Sequence, residues 1–387
     1  MGQEKIIVLG GGLVGGPMAL DLAAEERFAV TVADHNQRAL EALRDRQPRL
    51  QAIREDLSDP SRVTELVAGY DIVLNAVPGF MGYATLAAII EAHRSVVDIS
   101  FFAQDPFALH DPAVHAGVTA VVDCGVSPGL SNLLIGRVAG ELDDLDSVMI
   151  FVGGLPEVRQ WPWEYKTVYS PTDLIAVYTR PARYVENGVS VTRPALSDRE
   201  LVDFPGLGTL EAFNTDGLRT LAETIPCPNM KEKTLRYPGH VEKISMLLES
   251  GFFDEGEVTV GDASIRPVDL TAALLFPRWT MAPGEADLTV LWVDIKGRQG
   301  GQEVRHSFRL LDRFDPHTGT LSMARTTGYT ATAAVRMLLE GLYSEPGITP
   351  PELIGRHKEP FNFMIRSLRE RTVHCAEEVS GGSPVLG

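Results

Sequence analysis

Three cysteines in 387 residues, Cys124, Cys227 and Cys375, are an odd number set far apart with no C-x-x-C pair. Neither a disulfide framework nor a thiolate zinc site is indicated, and reduced thiols are expected. The nine histidines form no H-x-x-x-H pair, and no nearby carboxylate is arranged with them as a ligand set, so metal chemistry finds little support and no metal is expected. Long apolar runs are also missing, and no stretch approaches the about 20 residues that a bilayer span needs. Positive charge is outweighed: 35 Lys and Arg face 52 Asp and Glu, a formal charge of −17. That balance argues against nucleic acid or an anionic membrane as partner, while leaving room for a local basic pocket that takes a substrate carboxylate. The amino terminus shows no charged lead, apolar segment and cleavage site of the secretory kind, so a cytoplasmic protein is expected. No repeat or low-complexity segment stands out.

What remains is an ordinary globular composition, 44% hydrophobic and 22% charged, in a chain long enough for at least two cores. Its organising stretch is the apolar run Ile6 to Leu9, the turn Gly10-Gly11-Gly12-Leu13-Val14-Gly15, and a segment at helical spacing from Pro17 to Ala24. Strand, G-x-G-x-x-G turn and helix together read as a dinucleotide site. Gly10 permits the turn, Gly12 admits the pyrophosphate to the backbone, and Gly15 lets the helix lie on the strand. Unpaired N–H groups of Leu13 and Val14 at the helix start face the phosphates. The next strand, Val30 to Ala33, ends in Asp34, at the offset of a carboxylate that holds a ribose hydroxyl. A carboxylate there repels a 2′-phosphate, which favours NAD over NADP, although Arg38 lies close by.

Downstream, helical and extended segments alternate: Ala39 to Arg44, Leu50 to Ile53, Arg62 to Val67, Ile72 to Val77, Tyr83 to Ala92, Val96 to Ile99, Pro112 to Ala116 and Val118 to Val122. Six parallel strands covered by helices are the expectation, with the cofactor beyond their carboxyl ends. That position selects Val77 and Pro78 after the fourth strand, Asp98 at the fifth, and Asp123 and Cys124 after the sixth, with Asp56 toward the adenine. Each of these is equally a common turn or core residue. From Val148 the character changes to an aromatic cluster with Trp161, Trp163, Tyr165 and Tyr169. The runs Leu288 to Lys296 and Val304 to Leu311, joined by a glycine turn, predict an antiparallel or mixed sheet. A helix over Thr330 to Leu342 and disorder from Ser380 onward close the pattern. The fold class is α/β: a Rossmann-type doubly wound parallel sheet with a second α+β catalytic and dimerisation domain. The expected domains are 1–130, 131–323, and a segment 324–387 that returns to the first.

Three stretches offer chemistry. Asp123 lies in Val122-Asp123-Cys124-Gly125-Val126-Ser127-Pro128-Gly129, where it can orient an amine or accept its proton. Tyr165 and Lys166 fall together after the tryptophans. In Thr234-Leu235-Arg236-Tyr237-Pro238-Gly239-His240, Arg236 suits a bidentate grip on a carboxylate and His240 a proton transfer near neutral pH. Plain alternatives stay open: a Pro-Gly turn around Asp123, a surface lysine, an ordinary salt bridge for Arg236.

With Val152-Gly153-Gly154-Leu155-Pro156, Leu210-Glu211-Ala212-Phe213-Asn214-Thr215 and Met323-Ala324-Arg325-Thr326-Thr327-Gly328-Tyr329-Thr330 in the same order, the chain resembles the saccharopine dehydrogenase superfamily from about Lys5 to Pro351. Within it the resemblance is greatest to the lysine 6-dehydrogenase branch. It implies a nucleotide domain closed by a returning C-terminal helix, an inserted catalytic domain, and a homodimer. It also implies hydride transfer between a nicotinamide and the C–N carbon of lysine or a lysine-derived secondary amine. Ser127 and Val152 replace an acidic residue and a cysteine of saccharopine reductases, whereas Lys166 matches their lysine. The expected catalytic residues are thus Asp123, His240 and Lys166, with Arg236, Tyr165 and Thr215 binding substrate. An ε-ammonium must lose its proton before it yields hydride, at a cost of roughly 4 to 5 kcal/mol at pH 7. His240 or a desolvated Asp123 is the expected base. The expected reaction is NAD-dependent oxidation of the lysine ε-amine to the semialdehyde. The alternatives are a saccharopine-type reductase and a noncatalytic NAD-binding protein.

Overall fold

A computed structural model describes residues 2–381. In chain order the elements begin β1 (Glu4–Leu9), α1 (Gly15–Ala23), β2 (Phe28–Asp34), α2 (Gln37–Arg46), β3 (Gln51–Arg54), α3 (Pro60–Val67), β4 (Ile72–Asn75), α4 (Gly79–Glu91), β5 (Ser95–Asp98), α5 (His110–Ala116), β6 (Thr119–Val121) and α6 (Leu130–Glu141). They continue with β7 (Asp144–Pro156), α7 (Pro171–Thr179), β8 (Ala182–Glu186), β9 (Val189–Arg193), β10 (Glu200–Phe204), β11 (Gly208–Asn214), α8 (Leu221–Thr224), β12 (Met230–Arg236), α9 (His240–Glu249), β13 (Val258–Val260), β14 (Ala263–Ile265) and α10 (Pro267–Trp279). The last are β15 (Asp287–Gln299), β16 (Gln302–Arg313), α11 (Ser322–Leu339), β17 (Gly347–Thr349), α12 (Pro351–Gly355), α13 (Lys358–Glu370) and β18 (Ala376–Gly381).

Two compact units result: Met1–Glu141 with Met323–His374, and Leu142–Ser322 with the residues from Cys375 on. The first unit is built on a parallel sheet ordered β17-β6-β5-β4-β1-β2-β3. Ile6 to Leu9 and Ile72 to Leu74 are sealed from solvent, as strands covered on both faces must be. The helices start where sequence chemistry places them. Asn36 and Asp59 cap α2 and α3 by accepting backbone N–H bonds, and Pro60 occupies the first turn of α3.

Six strands are predicted and seven are found. The extra one, β17, pairs with β6 through only three residues, and Gly347 enters it at φ +122°, where a Cβ would press on the His110 ring. A piece this short carries no periodic signal of its own. The expected boundary at 130/131 also moves, because α6 stays with the first unit. Its Gly136 and the Glu352 backbone of α12 approach so closely that a Cβ on Gly136 would stand 2.0 Å from the Glu352 carbonyl oxygen.

The second unit carries the mixed sheet that the sequence predicts, ordered β10-β11-β12-β7-β15-β16-β18, with β8 beside β12 and β9 beside β8. The β12–β7 pair is parallel and the β15–β16 hairpin antiparallel, turning at Gly300 and Gly301 with positive φ. One core lies on the sheet around Phe151, Leu155, Leu210 and Leu288. A second lies beneath α7, α9 and α10 around Tyr165, Tyr178, Val241 and Trp279. The tail expected to be disordered from Ser380 is ordered as far as it is described: Ser380 and Gly381 pair with Arg305 and Val304 of β16. The remainder of that stretch, from 382, lies outside the described residues. No helix among the described residues is long and apolar enough to cross a membrane.

Candidate active site

In the first unit the strand order reverses at β1, which lies between β4 and β2, and a dinucleotide binds beyond the carboxyl end of such a strand. There the chain makes the glycine turn. Gly10 sits at φ +96°, and a Cβ on it would come within 2.8 Å of the Ala76 carbonyl oxygen. A Cβ on Gly15 would stand 2.0 Å from the Gly10 oxygen, so α1 can start only against a glycine. Gly12 differs, with nothing within 4 Å of its Cβ position. Its neighbour Leu13 is exposed, and no side chain caps α1, so N–H groups at the start of the helix are left for an anion. These residues fit a pyrophosphate. Asp34 is tied into the same turn: one oxygen accepts the Gly11 N–H at 2.6 Å and the other the Asn36 N–H at 2.7 Å. It braces the turn as well as presenting negative charge at the end of β2.

Other expected cofactor neighbours are placed differently. Val77 is buried and Pro78 half-buried at the start of α4. Asp98 is sealed at 0% exposure and accepts hydrogen bonds from Asn75 and from the Ser100 N–H and hydroxyl. Burial pushes its carboxyl up to about 7. It supports the strand ends and cannot touch a ligand. Cys124 is equally sealed, with its thiol toward the Thr330 carbonyl and pushed up by burial, so it is a core residue. Asp56 is exposed and accepts the Ser58 N–H, which holds its carboxyl low; it shapes the turn after β3. Asp123 follows β6 at φ +53°, 4% exposed.

In the second unit Arg236 ends β12 and is 2% exposed. The buried Glu232 carboxyl, on the same strand, feels its charge. One Nη donates to the Leu235 carbonyl, and Nε has no hydrogen-bond partner. The Tyr165 ring lies 4.6 Å from the guanidinium carbon, and the Tyr165 hydroxyl is also buried without a hydrogen-bond partner. A buried cation held by aromatic faces, with a donor unspent, is built to receive an anion.

His240 was expected as a base and does not qualify. It is fully buried, with Nδ1 2.8 Å from the Trp163 carbonyl and Nε2 2.8 Å from the Tyr178 hydroxyl. Burial first, and the Arg236 charge second, hold its pKa down to about 3. Lys166 donates to the Thr280 carbonyl and stands 3.5 Å from Glu285, so its ammonium is already paired. Thr215 is buried and donates to Glu232, a carboxyl that burial pushes up to about 7; it serves that internal network. The structure adds Tyr178 and Trp279, both fully buried beside His240 and Tyr165. Their only sequence signal is an aromatic at helical spacing, indistinguishable from core.

Comparison with known proteins places these features in one family. The chain matches the saccharopine dehydrogenase NADP binding domain over residues 6–121 and the saccharopine dehydrogenase C-terminal domain over residues 125–373. A saccharopine dehydrogenase (NADP(+), L-glutamate-forming) of Schizosaccharomyces pombe is 23% identical, with 90% of this chain and 94% of that protein covered. The carboxynorspermidine synthase of Vibrio cholerae is 23% identical, with 82% and 81% covered. The apo structure of histidine-tagged saccharopine dehydrogenase (L-Glu forming) from Saccharomyces cerevisiae shares the fold, with a TM-score of 0.80 at 21% identity over 97% of this chain and all of that one. The chain belongs to the saccharopine dehydrogenase family and is an oxidoreductase that uses a nicotinamide dinucleotide.

Proposed function

We propose that this enzyme oxidises the ε-amine of L-lysine to the semialdehyde with NAD, as in the lysine 6-dehydrogenase branch. The observation that carries the substrate class is Arg236, a buried guanidinium whose Nε has no hydrogen-bond partner. An amino-acid carboxylate entering there gains a charge-assisted bond in a dry site. Asp123, just after β6 in the coenzyme-binding unit, is the group proposed to take the proton of the reacting amine. NAD, when bound, supplies the hydride acceptor, and Gly12, Leu13, Val14 and Asp34 are the residues that would hold it. The carboxylate of Asp34 opposes a 2′-phosphate, which supports NAD although the matched domain model and the fission-yeast relative are named for NADP. A homodimer is part of the same proposal, and light scattering at known concentration tests it.

A saccharopine-type activity is the second reading, supported by the names of the relatives. Initial rates followed by reduced-nicotinamide absorbance decide between them. Lysine with NAD alone is expected to turn over, and a requirement for glutamate, saccharopine or NADP would replace the proposal. Arg236→Met is expected to raise the KM for the amino acid on the order of 100-fold. Asp123→Asn is expected to lower kcat by about 100-fold or more while NAD still binds.

A further inference from the structure

The returning segment of the first unit reaches the coenzyme turn through α11. A Cβ on Gly328 would stand 2.8 Å from Met18 Cγ and 3.7 Å from the Val14 carbonyl oxygen, so α11 lies against the opening turn of α1, where the residues fit a pyrophosphate. One residue earlier, α11 meets the loop after β6. A Cβ on Gly125 would stand 3.2 Å from Thr327 Cγ2 and 3.9 Å from its Oγ1, and the Cys124 thiol faces the Thr330 carbonyl at 3.9 Å. Thr327 and Gly328 thus join the start of α1 to the loop beyond β6. The hydroxyls of this helix are spent differently. Thr330 donates to the Thr326 carbonyl at 2.7 Å and Thr326 to the Met323 carbonyl at 3.3 Å, both within the helix. Thr327 donates instead to the Met323 sulfur at 3.5 Å, a weak acceptor that a better one displaces. Thr326 and Thr330 are sealed whereas Thr327 is half-buried, so of the three it is the one that a ligand can reach.

A dinucleotide bound across such a sheet has its adenine half over β1 to β3, its pyrophosphate at the start of α1 and its nicotinamide half over β4 to β6. The sugar between pyrophosphate and pyridine ring therefore passes from α1 toward the loop beyond β6, the two places that Thr327 and Gly328 join. We infer that Thr327 binds the coenzyme, its hydroxyl exchanging the sulfur contact for a hydrogen bond with a hydroxyl of the nicotinamide-side ribose. A threonine oxygen donates one proton and accepts through two lone pairs, and a sugar hydroxyl does the same, so the bond forms in either direction. The inference rests on the nicotinamide coenzyme of the family and on no choice of amine.

Calorimetric titration of the full-length enzyme tests it with three ligands: the tighter-binding of NAD and NADP, ADP-ribose, which keeps the second sugar, and ADP, which lacks it. Thr327→Val keeps the branched shape and removes the hydroxyl. Its Kd for the coenzyme and for ADP-ribose should each rise about fivefold, the size of one hydrogen bond, while its Kd for ADP stays within about twofold of the wild type. Unchanged ADP binding also reports that the glycine turn is still folded. Thr327→Ser, which restores the hydroxyl, should recover most of both losses. Coenzyme affinity unchanged in Thr327→Val, an equal loss for ADP, or a Thr327→Ser enzyme as weak as Thr327→Val would overturn the inference. The titrations need no turnover, so a wild-type enzyme inactive on lysine would sink the proposed function alone and leave the role of Thr327 to be decided by the three dissociation constants.

Discussion

Asp98 makes the stability of the first unit depend on pH. Its carboxyl sits at about 7 when folded against an ordinary 3.8, so the folded state holds a proton that the unfolded chain has released. The associated stability is full below about pH 4 and is lost as pH rises through about 7. Glu232, raised from 4.5 to about 7, acts the same way in the second unit. His240, lowered from 6.5 to about 3, acts oppositely: its contribution is present above about pH 6.5 and lost as pH falls toward 3. Asp98→Asn keeps a neutral group, and the Asn75 amide can turn to offer its Oδ1, now without a hydrogen-bond partner. Melting curves of that variant should lose less stability between about pH 5 and 8 than the wild type. Two glycines of the same turn, Gly12 and Gly15, also separate here. Gly12→Ala meets empty space, so the melting temperature should hold while NAD affinity, read by fluorescence titration, falls about tenfold or more. Gly15→Ala meets the Gly10 oxygen, so both should fall.

At the scale of elements, α6 and α12 touch through backbone. A Cβ on Gly136 would meet the Glu352 oxygen at 2.0 Å and one on Gly355 the Leu133 oxygen at 2.2 Å. Gly136→Ala should therefore cost about 1–3 kcal/mol in urea unfolding of the first unit. Elements whose own residues set their period were readable from sequence: β1 with its turn and α1, the alternation through β6, and the β15–β16 hairpin. Those made by their partners were not. β17 is three residues long, and β18, Ala376-Glu377-Glu378-Val379-Ser380-Gly381, is exposed throughout and owes its extension to pairing with β16. The site divides in the same way. Arg236 and Tyr165 can be singled out as candidates because a guanidinium and a phenol stand out in a motif, but the roles expected of His240, Lys166 and Cys124 depend on burial and partners that the sequence does not carry. Tyr178 and Trp279 were hidden by looking like core.

For the whole molecule, connectivity matters more than length. The first unit is interrupted after Glu141 and resumes at Met323, and the chain crosses to the second unit again after His374. Removing the residues after His374 takes β18 from β16 and leaves an open edge. Unfolding of the second unit, followed by hydrogen exchange, should become easier while NAD titration of the first unit is unchanged. The interruption also has a temporal side. During synthesis, β1 to β6 emerge long before β17, which borders β6 in the finished sheet. A ribosome therefore releases an entire intervening sheet before the coenzyme-binding half acquires its last strand, and until residue 349 is clear that half must wait with β6 unprotected, the interval in which a chaperone would find the nascent chain most receptive.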